Sequence, residues 1–558
     1  MRTQTVHILR YAGAIKESIF VHTAHRAISV LAGSINSLQN SFLANERVPT
    51  SRPDFPNSSC SIGLANALQQ CGISTSITSN MALAEVAVDG DLSGVLSEID
   101  HILSKESVTA KEISDAAVSL AYLQSKGDRL LWGKIFVSAL EAKGTFDAAS
   151  LASFLWAATT AGVDHFKTVA ELSGPAASLV ASMTPAQLSI VVEALGKAGV
   201  KDAELFDKIS TQVVANLAKY KPAELSRLLW GFAAAHHDDG ALVKAVSKAI
   251  TDKAAELAAR EAVQAVWALA KLRRTDKPTL DALVKATKGK AGAMESPVDA
   301  AALTWSLAFL NYKADGETIK SLGAALKAGA SELSTSNAID AAWGLSLVGP
   351  GEKDAISALF STVATSIQKD PTSVDVYELG ALYNASVLVP AAKLPEQVQA
   401  FALKMYNLGG KSISLKRSSA GSAFVHDLAE AVAVAFGARY RPEVAKAVKS
   451  YARSTSEGIA IDIAMEVDGT KVAIEPVYPG YTSATHPNVL LGPASARAGL
   501  LEASGYKVVQ VPFVEFASLS DTKAKAAYIL NTIKTSVPAV KVDSLQKKLS
   551  EPFDPYAE

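Results

Sequence analysis

Lys221–Ala235, KPAELSRLLWGFAAA, holds the plan of most of this chain. Its apolar residues recur at intervals of three and four, the period of a helix with one buried face. Pro222 stands in the first turn, where its missing N–H costs nothing and its fixed φ favours initiation. A short turn follows, then a second amphipathic segment, GALVKAVSKAITDKAAEL from Gly240. The stretch reads as a helical hairpin, and Trp230 marks its register. Trp267, Trp305 and Trp343 follow in WALAKL, WSLAFL and WGLSLV at spacings of 37, 38 and 38 residues. Trp156 lies 74 residues before Trp230, with Glu193 of EALGKAG in register between them. Ser119 of SLAYLQ and Ala381 of ALYNAS extend the series outward to eight units across residues 106–395. Pro185 and Pro297 open their helices as Pro222 does. A hairpin cannot bury its apolar stripe alone, so the expected fold is a mostly α protein, an α-solenoid of about eight 37–38-residue hairpins sharing one core. The tryptophans read as core spacers between stacked helices.

The bulk properties fit that expectation. The chain has 558 residues, 49% hydrophobic and 20% charged, which is apolar material for a large core. No run of about 18 uninterrupted apolar residues occurs, so no membrane span is read. Cys60 and Cys71 stand without a partner pair or a histidine at ligand spacing, which speaks against a disulfide framework and a structural zinc. His236-His237-Asp238-Asp239 carries ligand-type side chains, but neighbours in a turn diverge where zinc needs convergence. The reading calls for no metal and no cofactor. From Met1 to Asn45 the only acid is Glu17, among Arg2, Arg10, Lys16 and Arg26, the composition of an organellar transit peptide. Residues 1–57 are therefore expected to be transit peptide and linker, and 58–105 are poorly patterned.

In a helical array, the polar residues on one long face are free to bind, and such a face suits an extended polymer. The candidates are Ser226 and Arg227 beside LLWGF, Gln264 before VWALA, and Lys271, Arg273 and Arg274, the densest basic cluster of the array. The formal net charge of −1 runs against a nucleic-acid partner, unless basic and acidic groups occupy different faces. EAVQAVWALAKL and ELSRLLWGFAAA resemble the 37–38-residue heptatricopeptide or octotricopeptide repeats. That resemblance, over about half the chain, implies a partner among organellar transcripts or ribosomal RNA. Single-stranded RNA fits because its bases can be presented along a surface.

After a linker at 396–419 the texture changes. Residues 420–535 read helix, strand, strand, helix, strand, helix, with Asp468-Gly469 as a tight turn between the first two strands and Gly505 as a helix stop. Residues 536–558 read as a tail. Ile461-Asp462-Ile463, Ala473-Ile474-Glu475 and LLEASGYKVVQVPFVEF resemble the RAP domain, an RNA-associated module. The resemblance implies a small α/β fold of restriction-endonuclease type; Arg497 and Lys507 are candidate phosphate contacts, as basic side chains are in most nucleic-acid interfaces. Metal-dependent cleavage would use Asp462 and Glu475. Where the endonuclease pattern has Glu-x-Lys, however, this chain has Glu475-Pro476-Val477. The expectation is an RNA-binding protein, not itself an enzyme, acting in RNA processing, stability or ribosome assembly, in a mitochondrion or alternatively a plastid, with ribosomal proteins as further partners. A protein scaffold and a metal-dependent endoribonuclease are the two rival readings.

Overall fold

The computed structural model describes residues 92–122, 129–161, 166–288, 296–415, 419–436, 453–455, 458–467 and 469–540. The expected transit peptide, most of the poorly patterned region and nearly all of the expected tail lie outside them. The described residues are mostly helical, with a small mixed sheet near the C-terminus. After α1 (Leu92–Leu103) come eight hairpins. Hairpin 1 is α2 (Ala110–Tyr122) with α3 (Arg129–Glu141), and hairpin 2 is α4 (Ala148–Thr160) with α5 (Phe166–Glu171) and α6 (Ser173–Leu179). Hairpin 3 pairs α7 (Pro185–Lys197) with α8 (Ala203–Ala215), hairpin 4 pairs α9 (Pro222–Ala234) with α10 (Gly240–Asp252), and hairpin 5 pairs α11 (Ala259–Lys271) with α12 (Lys277–Thr287). Hairpin 6 is α13 (Pro297–Phe309) with α14 (Gly316–Ala328), hairpin 7 is α15 (Thr335–Val348) with α16 (Lys353–Lys369), and hairpin 8 is α17 (Val376–Leu388) with α18 (Glu396–Leu415).

Local chemistry places these boundaries. Most first helices are capped by the side chain of the residue before them, and in most the third residue of the helix bonds back. Asp147 and Ser150, Thr184 and Gln187, and Asp375 and Glu378 form reciprocal boxes. At Lys221 and Ala258, which offer no acceptor there, Glu224 and Glu261 accept the cap N–H at 2.8 and 2.7 Å. The first helices of hairpins 3 to 6 end on Gly199, His236, Arg273 and Asn311, all at φ between 52° and 66°. The next N–H of each returns five residues to Leu195, Phe232, Leu269 or Leu307, which is the Schellman closure. The second helices then start on Asp202, Asp239, Asp276 and Asp315, whose carboxylates accept from the first-turn N–H groups.

Counting from each N-cap as zero, the tryptophan register is position 9. It is occupied by Val118, Trp156, Glu193, Trp230, Trp267, Trp305, Trp343 and Asn384. The outer registers therefore fall at Val118 and Asn384, not at Ser119 and Ala381, because the first and last steps are 38 and 41 residues. Position 10 is small in every hairpin: Ser119, Ala157, Ala194, Gly231, Ala268, Ser306, Gly344 and Ala385. At Gly231 and Gly344 neighbouring first helices touch backbone to backbone. A Cβ on Gly231 would sit 2.6 Å from the Val192 carbonyl oxygen, and one on Gly344 would sit 2.9 Å from Thr304 backbone. Ser114 and Ser226 reinforce such contacts, donating to the Ser150 and Glu261 carbonyls of the next first helix at 2.8 and 2.6 Å.

The chain divides into two compact units with the boundary at Ala293/Met294, so hairpins 1 to 5 lie in one and hairpins 6 to 8 share the other with the C-terminal fold. The segment expected to be a linker is largely α18, whose Val398, Ala402 and Met405 repeat at helical spacing and are buried. Beyond it, α19 (Ser419–Ala435) and α22 (Thr522–Ser536) pack together on one face of the sheet β3 (Ile463–Val467), β4 (Thr470–Val477), β5 (Lys507–Pro512). β3 and β4 are antiparallel, closed at Val467↔Thr470 with Gly469 at φ +74°, and β4 and β5 are parallel. Ile463, Met465, Val472, Ile474, Val509 and Val511 join the core beneath α19 and α22. The expected third strand stops at Pro512, which has no N–H for a ladder. Phe513–Ala517 forms α21 instead, turning Phe513 and Phe516 onto Phe424. β1 (Arg453–Ser454) and β2 (Ala460–Ile461) make a separate two-stranded ribbon.

Helix α20 (Gly492–Ala503) covers the other sheet face, where Gln510 donates to the Ala494 carbonyl at 2.7 Å. Its far side packs on α13 and α17. Arg497 of α20 is held by the buried Glu475 of β4 at 3.0 Å, by the Tyr406 hydroxyl of α18 at 3.1 Å and by the Ala460 carbonyl of β2. These partners keep the guanidinium charged despite its burial.

Three substitutions test these contacts by their stability. Gly231→Ala should lower the unfolding free energy by about 1–3 kcal/mol, because two helix backbones must separate. Gly133→Ala, on an exposed helical position with open space, should raise it by about 0.5–1 kcal/mol in the same denaturant titration. Arg497→Ala should cost about 3–5 kcal/mol by leaving Glu475 buried and uncompensated, and a cost below 1 kcal/mol would show that this pin bears little.

Candidate nucleic-acid interface

Positions 2, 6, 9 and 13 of a first helix fall within about 60° of one another around its axis. The tight contact at position 10 turns this arc away from the neighbouring helices. In α11 it carries Arg260, Gln264, Trp267 and Lys271, of which Trp267 is buried, and apart from Glu261 every other residue of that helix is buried as well. In α9 it carries Ala223, Arg227, Trp230 and Ala234, and in α7 it carries Glu193 and Lys197. Four cations and one carboxylate therefore line the arc across three consecutive helices.

The arc is internally connected. Glu193 accepts from Lys197 at 2.9 Å on its own helix and from Arg227 Nε at 3.0 Å on the next. Arg227 Nη1 also reaches the Ser189 hydroxyl at 3.3 Å. Burial works against ionising Glu193, but the charges of Lys197, Arg227 and Arg260 overcome it and hold the carboxyl below its ordinary range. Beside this cluster Trp230 and Trp267 stack, with centroids 5.6 Å apart and planes 23° from parallel. Lys271 Nζ lies 5.5 Å over the Trp267 ring. Both indoles are buried, so what the arc offers a phosphodiester strand is its row of cations over an apolar floor.

The structure separates the residues singled out in the sequence. Arg227, Gln264 and Lys271 lie on the arc. Ser226 does not: it is fully buried and its hydroxyl ties α9 to α11, because position 5 faces the next helix. Arg273 takes the left-handed residue at the end of α11, next along the chain from the arc. Arg274 turns to the second-helix side, where it pairs with Asp238. Arg497 is engaged within the C-terminal fold, and Lys507 is exposed at the start of β5. Lys197 and Arg260 escaped the sequence reading. Counting from the N-caps would have found them, since they stand at positions 13 and 2.

The carboxylate pair is not arranged as the nuclease reading needs. Asp462 lies in a bend between β2 and β3, because Ile461 pairs with Arg453 in the ribbon while Ile463 pairs with Ile474 in the sheet. Both oxygens of Glu475 face Arg497, at 3.0 and 3.3 Å. The His236–Asp239 run also diverges. His237 stacks on Phe206 and meets Asp207 at 3.1 Å, Asp238 pairs with Arg274, and Asp239 caps α10. Among the described residues no group of three or more histidine, cysteine or acidic side chains converges for a metal, and no helix is long and apolar enough to cross a membrane.

No curated protein matches this chain. Residues 62–315 are similar to the family described as RNA-editing substrate-binding complex 6 protein, over somewhat under half the chain. That family is RNA-associated, and the matched stretch contains all of α7, α9 and α11.

Proposed function

We propose that this protein binds single-stranded RNA along the arc formed by α7, α9 and α11 and works within an RNA-processing assembly. The observation that carries the reading is the file of Lys197, Arg227, Arg260 and Lys271 beside the stacked Trp230 and Trp267. The cations meet phosphates, and Gln264 lies where a base would be presented. Similarity to a family named for binding the substrates of RNA editing supports an RNA partner. The acid-poor N-terminus and the RAP-like order of the C-terminal elements support an organellar setting, a mitochondrion before a plastid. Organellar transcripts or ribosomal RNA are the targets in this reading, with ribosomal proteins as further partners. The C-terminal fold supports the array and performs no cleavage. The formal charge of −1 favours a protein scaffold as the second reading, in which no RNA would be retained at physiological salt.

The test is fluorescence anisotropy of the full chain with a labelled single-stranded RNA, repeated across salt concentrations. Replacing Arg227, Arg260 and Lys271 together by alanine should weaken binding by tenfold or more and flatten the slope of log K against log salt by about 0.7 per lost phosphate contact. Glu193→Gln should tighten binding, because it removes the one acid from the arc of these three helices. Unchanged affinity in both variants would move the reading to the scaffold. Arg273→Gly should stabilise the fold by about 1 kcal/mol, since glycine accepts the left-handed backbone without strain. A simultaneous fall in RNA affinity in that variant would identify Arg273 as a contact.

A further inference from the structure

In hairpins 6 to 8, which belong to the other compact unit, the corresponding positions carry different chemistry. Positions 2, 6, 9 and 13 are Val298, Ala302, Trp305 and Phe309 in α13, and Ser336, Asp340, Trp343 and Leu347 in α15. In α17 they are Tyr377, Ala381, Asn384 and Leu388. None of these twelve residues is a lysine or arginine, and most are apolar. A phosphodiester strand would find no cation there.

A partner for this arc is already present in the same compact unit. Gly492, the first residue of α20, lies so close to α13 that a Cβ would come within 1.9 Å of the Ala308 carbonyl oxygen and 3.2 Å of Phe309 Cα. Seven residues on, a Cβ on Gly499 would meet Leu388 of α17 at 2.6 Å. Between them Asn384, which replaces tryptophan at position 9, donates its side-chain N–H to the Ala496 carbonyl at 3.1 Å. Arg497, on the same helix, is pinned by Glu475 and Tyr406. Two glycines at the points of closest approach and an asparagine in a tryptophan register are choices that a free surface would not require.

We infer that the first-helix face of hairpins 6 to 8 is a dedicated docking surface for the chain's own α20, and that it takes no RNA. Bound RNA is then confined to hairpins 1 to 5. The docking half stands on the contacts alone, whereas the exclusion half rests on the RNA reading above.

Two measurements on the full chain test the halves separately. The first is hydrogen exchange on Gly499→Leu, whose side chain would overlap Leu388. Faster exchange in α17 and α20, with α7, α9 and α11 unchanged, is expected, and unaltered exchange in α17 and α20 would overturn the docking surface. If that variant does not fold, Asn384→Leu, which removes only the bond to Ala496, is read in the same way. The second is photocrosslinking to a 4-thiouridine-containing RNA followed by peptide mapping. Crosslinks in residues 185–197, 222–234 and 259–271, and none in 297–309, 335–348 or 376–388, are expected. Crosslinks to Trp305, Phe309, Trp343 or Leu388 would overturn the exclusion and leave RNA binding intact. The absence of crosslinks anywhere would reject RNA binding and the exclusion with it, leaving the docking surface to the exchange result.

Discussion

Within each compact unit, successive first helices meet at a residue with little or no side chain, and the remainder of that unit's hairpins is arranged around the contact. Gly231 lies against the Val192 carbonyl and Gly344 against Thr304, and serine or alanine fills the same position elsewhere. Helices this close cannot bury large residues at the point of contact. Bulk is displaced to the flanks, where Phe154, Phe232, Leu269 and Leu307 fill the interior. The tryptophans, one position before the contact, roof the seam from the other side. Dispersion and apolar burial on both flanks stabilise the stack, and the backbone approach fixes which residues remain outside it.

That geometry also accounts for a chain of near-zero net charge carrying a cationic arc. Many of the acids in the array serve the backbone. Asp202, Asp239, Asp276 and Asp315 cap second helices, and Glu112, Glu224, Glu261 and Glu378 accept the cap N–H groups of first helices. An acid at a helix N-terminus answers unpaired N–H groups and the positive end of the dipole. The negative charge is thereby fixed at helix starts, while Lys197, Arg227, Arg260 and Lys271 gather along the helix sides. Total charge averages over this separation and conceals it.

The C-terminal fold shows a different use of charge. Glu475 and Arg497 are opposed across a sheet and its covering helix, with Tyr406 and the Ala460 carbonyl completing the guanidinium's bonds. A buried pair of this kind contributes modest net stability but strongly penalises any arrangement that separates it. It therefore specifies how α20 sits between the sheet and the helices beneath. Both oxygens of Glu475 accept from Arg497, so this carboxylate serves the pin between sheet and helix.

The period, the helical hairpin and the α/β order after residue 419 were legible in the sequence, because helix periodicity, capping residues and turn glycines act over a few residues. Arg227, Gln264 and Lys271 were singled out because they stand beside the tryptophan motif, and the structure places them on the arc. Other features depended on what each residue meets from a distant part of the chain. Ser226 and Arg227 are adjacent in sequence, yet position 5 faces the next helix and position 6 faces outward. Arg497 looked like any exposed base until Glu475, Tyr406 and Ala460 closed around it, and α18 looked like a linker until α17 covered its buried face. Short-range hydrogen bonding and periodicity were written along the chain. The side of a helix left to solvent, and the carboxylate an arginine meets, were decided only when non-neighbouring backbones came within van der Waals contact.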